Sequence, residues 1–118
     1  MGLKDIAIVG NGGFAKEVEW LIDRINQRTN EWNILGFIDE KENKENRVIG
    51  DDSFVASVNN ELHVTIAVGN GKIRSDIFNK YRKNENIQCP NFIDPSVLRP
   101  QEMHIGKGSI FVQAPYLQ

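Results

Sequence analysis

Four residues, Gly10-Asn11-Gly12-Gly13, follow directly on the apolar run Ile6-Ala7-Ile8-Val9. They lead into a segment in which Phe14, Val18, Leu21, Ile22 and Ile25 recur at intervals of three and four. A short β-branched run without polar alternation suits a strand buried on both faces, and the second spacing suits an amphipathic helix over about residues 14–28. A buried strand that turns into a helix through glycine is half of a parallel crossover unit. That order constrains the chain to an open α/β sheet.

The same order returns twice. Ile34-Leu35-Gly36-Phe37-Ile38 reads as a second buried strand, with the acidic pair Asp39-Glu40 where its carboxyl end emerges, and residues 41–47 read as a solvated loop. Val48-Ile49-Gly50 is a very short extended piece. Asp51-Asp52-Ser53 supply oxygens that cap the N-terminus of a short helix reaching residue 58, and Asn59-Asn60 stop it. His63-Val64-Thr65-Ile66-Ala67-Val68 is the third clear strand and runs into Gly69. Ile73, Ile77, Phe78 and Tyr81 then predict an amphipathic helix over residues 72–83.

Beyond Pro90 the pattern changes. Pro95, Pro100 and Pro115 exclude a long helix, while Ile105, Phe111 and Leu117 recur every six residues. A period of six places one aliphatic or aromatic residue per turn inside a parallel β-helix. Only about two such turns fit, against the three or so that a solenoid stacks to close its core. The expected organisation is a small parallel-sheet domain over residues 1–90 and an incomplete hexapeptide-repeat segment over residues 91–118.

Charge and cysteine content narrow the partners. The formal net charge is −2 over 118 residues, with acids and bases interspersed, which favours neither nucleic acid nor an anionic membrane. The single cysteine, Cys89, has no second thiol to pair with and forms no CxxC metal motif. Apolar runs fall far short of the ~20 residues that span a bilayer, and the N-terminus has no basic-then-apolar signal pattern. A cytoplasmic protein is expected, with no metal site.

Chemistry is expected at the glycine loop. Gly10 and Gly12 permit a tight turn, the missing side chains let a diphosphate approach the backbone, and the next helix offers free N–H groups. A glycine turn that merely packs helix on strand is the plainer alternative. A nicotinamide dinucleotide is the sharper one, because G-x-G-x-x-A is satisfied; its ribose-binding acid would be Asp39, about 29 residues after Gly10, where about 20 is usual. Asp39 and Glu40 can bind a ribose or the imide edge of a pyrimidine, or else form an acidic loop mouth. Gly69-Asn70-Gly71 repeats the strand-to-helix turn and brings a second backbone edge to the same crevice, with Lys72 or Arg74 placed either to neutralise phosphate or to face water. His63 and His104 read as structural, Cys89 as a poor nucleophile and Trp20 as packing.

Read together and in order, three stretches carry a resemblance: Ile8 to Val18 around the glycine loop, Leu35-Gly36-Phe37-Ile38-Asp39-Glu40, and Ile66-Ala67-Val68-Gly69-Asn70-Gly71-Lys72-Ile73-Arg74. Asp94-Pro95-Ser96-Val97 and Ile105-Gly106-Lys107-Gly108-Ser109-Ile110 extend it. The set resembles the bacterial sugar O-acyltransferase family, which includes NeuD/PglD-like sialic acid O-acetyltransferases and UDP-amino-sugar N-acetyltransferases. The resemblance implies a Rossmann-like domain that holds a nucleotide sugar, followed by a left-handed β-helix that trimerises and binds acetyl-CoA between subunits. By motif, the sugar-nucleotide residues are Gly10, Asn11, Gly12, Gly13, Asp39, Glu40, Gly69, Asn70, Gly71 and Arg74.

The departures from that family are specific. Phe14 stands where many members carry a histidine, Glu40 replaces the second of a paired aspartate, Asp94 replaces a histidine before Pro-Ser, and Arg99 occupies an inward hexad position. In the family the general base is a histidine of later β-helix turns, and neither His63 nor His104 matches it. The expectation is therefore the substrate-binding portion of an acetyl-CoA-dependent sugar acetyltransferase, truncated before its catalytic histidine. The alternatives are a non-catalytic nucleotide-sugar or dinucleotide-binding module, or an NAD-binding oxidoreductase fragment.

Overall fold

The computed structural model describes residues 2–40, 47–90, 92–93 and 110–111. The first apolar run becomes β1 (Lys4–Val9), followed by helix α1 (Gly13–Thr29), β2 (Trp32–Ile38), β3 (Val48–Gly50), α2 (Asp52–Ser57), β4 (Leu62–Ile66), α3 (Gly71–Tyr81) and β5 (Ile87–Gln88). The five strands form one parallel sheet in the order β3-β2-β1-β4-β5. This is the expected α/β, Rossmann-like architecture, with β1 at the centre because its side chains are buried on both faces.

Alternation along the strands assigns the two faces. Ile6, Ile8 and Phe37 pack with Ala15, Val18, Leu21 and Ile22 of α1. Ala7, Val9, Ile38, Val64 and Ile66 pack with Val55 of α2 and Tyr81 of α3. Each completely buried aliphatic or aromatic side chain contributes about 1.5–3 kcal/mol, and this burial on both faces holds the layers together. Thr65, on the α1 face, is fully buried, and its hydroxyl has no hydrogen-bond partner among the described residues.

Two polar knots fix the connections. The Asn26 side chain accepts from the amides of Glu31 and Trp32 at 3.0 and 2.9 Å and donates to the Trp32 carbonyl at 2.8 Å, tying the end of α1 to the start of β2. Asn30 makes the turn between them in the left-handed conformation, at φ 49°. Asn84 reaches from beyond α3 to donate to the carbonyls of Val55, Ala56 and Val58, satisfying orphan groups at the end of α2.

Several expectations are corrected. β4 ends at Ile66 rather than residue 68: the Ala67 amide still donates to the Val9 carbonyl at 2.9 Å, but the chain is already leaving the ladder toward the glycine turn. α3 ends at Tyr81 rather than residue 83. β5 had no sequence signal and exists through its pairing with Leu62 and His63. Trp20 is 54% exposed and lies against the Arg24 guanidinium, 4.6 Å from its ring centre, so it is not a core residue.

Beyond the sheet, β6 (Phe92–Ile93) and β7 (Ile110–Phe111) pair in parallel, Phe92 with Ile110 and Ile93 with Phe111. Each pair is eighteen residues apart, so one strand-to-strand repeat takes three hexads rather than the single hexad per turn expected from the period of six. Phe92 is buried and meets the Trp32 ring edge-to-face at 5.3 Å, so this ladder begins against the sheet. Asp94, Arg99, His104, Ile105 and Leu117 lie outside the described residues, as do residues 41–46 of the segment expected as a loop.

Candidate functional site

In the order β3-β2-β1-β4-β5 the chain runs outward from β1 through β2 to β3, then returns to the other side of β1 as β4. The two directions diverge between β1 and β4. In open α/β sheets ligands bind outside the carboxyl ends of the strands at such a switch point. A crevice of about 440 Å³ opens there, lined by residues leaving β1, β2, β3 and β4 and by one face of α3.

Gly10 is the residue that lets the two central strands approach. Its φ is +109°, and a Cβ there would lie 2.9 Å from the Ala67 carbonyl oxygen. Its amide donates to the Ile38 carbonyl at 2.8 Å, so Gly10 ties together the exits of β1, β2 and β4. Gly12 has a different role from the expected one: its φ of −93° is available to any residue. A Cβ on Gly12 or Gly13 would meet nothing within 4 Å, so what these glycines preserve is open space over the start of α1.

That helix end is uncapped. Gly12 offers no side-chain oxygen, the first turn carries no acidic residue, and the initial amides therefore remain available to an anion. The beginning of α3 is already served, because the Asn70 side chain accepts from the Ile73 amide at 3.0 Å. Arg74 folds back so that its guanidinium donates to the Val68 carbonyl at 3.2 Å, beside the crevice floor. Lys72 points outward and pairs with Asp76. The Asn11 amide oxygen is buried without a partner among the described residues.

The opposite wall is acidic. Asp39 and Glu40 line the crevice as expected, joined by Asp51, Asp52 and Ser53, which were expected only as helix caps. The Asp39 carboxylate accepts from the Glu40 amide at 2.7 Å. Asp51 caps α2, and hydrogen bonds from the Ser53 hydroxyl and amide hold its carboxyl below the usual range.

Asp52 faces the crevice from the start of α2 and accepts from Lys80 Nζ at 2.7 Å and from the Tyr81 hydroxyl at 2.5 Å. The Lys80 and Tyr81 hydrogen bonds lower the Asp52 pKa, and the same carboxylate raises that of Lys80. Burial, then the hydrogen bond to Asp52, pushes the Tyr81 hydroxyl far above its ordinary value. At neutral pH the cluster is a carboxylate, an ammonium and a neutral phenol.

The third wall is α3. Ile73, Ile77 and Lys80 stand at i, i+4 and i+7 on its crevice face, and Ile73 is 50% exposed despite its place in the apolar pattern. The sequence signal for Lys80 was its register with Ile73 and Ile77, masked because a lysine in an amphipathic helix ordinarily reads as solvent-facing. His63 sits away from the crevice, with its ring edge-to-face on Trp32 at 5.1 Å and 3.4 Å from Glu61, as a structural histidine does. Among the described residues, no cluster of three or more potential metal ligands is gathered, and no helix is long and apolar enough to cross a membrane.

Comparison with known proteins bears on the family and the fold. Residues 5–81 match the model of the PglD N-terminal domain. The fold superposes on the acetyltransferase domain of PglB from Neisseria gonorrhoeae in complex with acetyl coenzyme A, at 26% identity and TM-score 0.75, covering 92% of this chain and 53% of that one. It also superposes on a mutant of perosamine N-acetyltransferase from Caulobacter crescentus in complex with CoA and GDP-perosamine. There the identity is 19%, the TM-score 0.67 and the coverage 93% and 52%, a likeness of fold. The chain thus spans about half the length of these solved structures. A search of the curated proteins finds no match.

Proposed function

The chain belongs to the PglD N-terminal domain family, and from that premise we propose that it is the nucleotide-sugar-binding part of an acetyl-CoA-dependent sugar acetyltransferase of surface glycan synthesis. The observation that supports this reading is the crevice at the β1–β4 switch point, whose lining runs from Gly10, shortly before the uncapped start of α1 at Gly13, to the carboxylates of Asp39, Glu40, Asp51 and Asp52. Phosphates belong at that helix start, where Gly12 and Gly13 leave the amides of α1 open and Gly10 shapes the turn. The Gly69-Asn70-Gly71 turn and Arg74 flank the same approach, Arg74 contributing charge. Hydroxyl and N–H donors of the nucleoside belong at Asp39 and Glu40, because ionised carboxylates only accept hydrogen bonds. Asn11, within the loop, contributes a buried side-chain acceptor.

In this reading residues 1–90 form the Rossmann-like binding domain and residues 91–118 begin a left-handed hexapeptide-repeat β-helix. The eighteen-residue offset between β6 and β7 supports that division, since three hexads make one coil. Acetyl-CoA, when bound, supplies an activated acyl group for a sugar amine or hydroxyl; none of the described residues is assigned to holding it. The role of this domain is to hold the acceptor sugar by its nucleotide. His63, packed under Trp32, is not the base that takes the nucleophile's proton. Homotrimeric assembly through the β-helix and a cytoplasmic location complete the proposal.

Calorimetric titration with UDP, GDP, CDP and NAD tests it. A nucleoside diphosphate bound more tightly than NAD is the expected result. Binding of NAD with no affinity for any of the three diphosphates would reject the sugar-nucleotide reading in favour of a dinucleotide module.

A further inference from the structure

We propose that Lys80 is a specificity-determining residue of this crevice: its ammonium donates to an oxo group on the edge of the ligand's heterocyclic base, while the carboxylates at the end of β2 accept from the ring N–H beside it. The inference rests on the nucleotide-sugar reading and adds to it a residue outside the recognised motifs and the chemistry of the base.

The position of Lys80 is built by neighbours rather than left to a flexible stem. Asp52 accepts one of its three N–H groups at 2.7 Å, and Asp52 is held in turn by Tyr81 at 2.5 Å. An exposed lysine–carboxylate pair contributes only about 0–1 kcal/mol to stability, so folding alone gives weak reason for this arrangement. Two N–H donors remain on Lys80, and Asp39 and Glu40 line the same crevice. Donor and acceptors therefore face one space.

The wall between them fits a flat ring. Ile73 and Ile77 precede Lys80 on the same face of α3, and the half-exposed Ile73 presents apolar surface to the opening. Seven residues of helix separate Ile73 from Lys80, about 10 Å along the axis. That is the scale between the phosphates of a nucleotide and the far edge of its base. A ring lying on the two isoleucines, with phosphates toward Gly10, brings its polar edge to Lys80 and Glu40. Uracil and guanine both present a carbonyl next to a ring N–H there, the complement of an ammonium next to a carboxylate.

The test is calorimetric titration of the full chain and of Lys80→Met and Lys80→Arg with UDP, GDP, their 4-thio and 6-thio counterparts, and pyrophosphate. Methionine retains the apolar stem and removes the donors. Lys80→Met is expected to weaken the preferred diphosphate roughly tenfold, the scale of one hydrogen bond to a charged group. Arginine is expected to restore most of the affinity, and pyrophosphate binding to be unchanged. Thio substitution is expected to weaken binding to the unmodified protein and to make no difference to Lys80→Met. Unchanged nucleotide affinity in a folded Lys80→Met overturns the inference while leaving the sugar-nucleotide reading intact. Equal loss for pyrophosphate overturns it in favour of a phosphate contact. Failure of the unmodified chain to bind any nucleoside diphosphate removes both.

Discussion

Substituting alanine at two glycines of one loop separates folding from binding. At Gly10 the φ of +109° puts an L-residue in a conformation that costs about 1–2 kcal/mol. The new Cβ would also stand 2.9 Å from the Ala67 carbonyl oxygen, so the exits of β1 and β4 must part by some tenths of an ångström. Overpacking of that kind costs about 1–3 kcal/mol. Gly10→Ala is therefore expected to destabilise by about 2–5 kcal/mol, a large fraction of the ~5–15 kcal/mol available to a domain. Gly12→Ala meets neither penalty, with a φ of −93° and nothing within 4 Å of its Cβ. Its stability is expected within ~0.5 kcal/mol of the parent, while its methyl group occupies the space a phosphate needs and weakens nucleotide binding by roughly tenfold or more. Urea denaturation followed by circular dichroism measures the first effect and calorimetry the second. A Gly10→Ala protein as stable as the parent, or a Gly12→Ala protein destabilised by more than ~1 kcal/mol, refutes the division of roles.

Other perturbations follow from single contacts. Asn26→Ala removes three hydrogen bonds that tie α1 to β2 and is expected to cost about 2–3 kcal/mol in urea denaturation, with Asn26→Asp, which keeps the two acceptors, costing less. Thr65→Val removes a buried hydroxyl without a partner and is expected to raise the denaturation midpoint by the equivalent of about 1 kcal/mol. Because the folded pKa of Asp52 is depressed, its contribution is present above the unfolded carboxylate value and is lost as pH falls through the folded one; Asp52→Asn should flatten the acid limb of a stability-versus-pH curve. Tyr81 has the opposite sign: its pKa is raised, so its contribution is full below pH 10.0 and declines above it, a loss that Tyr81→Phe should abolish in alkaline denaturation.

The strands and helices with strong local patterns were legible in the sequence. Burial on both faces leaves β1, β2 and β4 as apolar runs, and Asp51 caps α2 where its position beside Ser53 suggested. Features made by tertiary pairing were not. β5 is two residues whose only reason to be extended is the edge of β4. The crevice residues divide in the same way: Gly10, Asp39 and Glu40 follow strands directly, whereas Asp52 and Lys80 meet from helices twenty-eight positions apart. A 3.6-residue pattern identifies which side of α3 is apolar. It does not identify where that side stops being covered by the sheet and starts to face the opening, which is where Ile73 stands.

In the proposed β-helix, the eighteen-residue offset between Phe92 and Ile110 sets the length of one coil. In such a ladder each further eighteen residues advances the stack by one strand spacing, about 4.8 Å, without altering the rungs already laid. Whole coils can then be inserted or deleted as units while the first rung keeps its seat on Trp32 through Phe92. A change that is not a multiple of six shifts the hexad phase and turns inward residues to solvent, and one of six or twelve carries each later hexad to another face of the coil. In the proposed β-helix, the distance along the stack from the crevice to any chemistry it carries would thus change in steps of one coil when its face is kept.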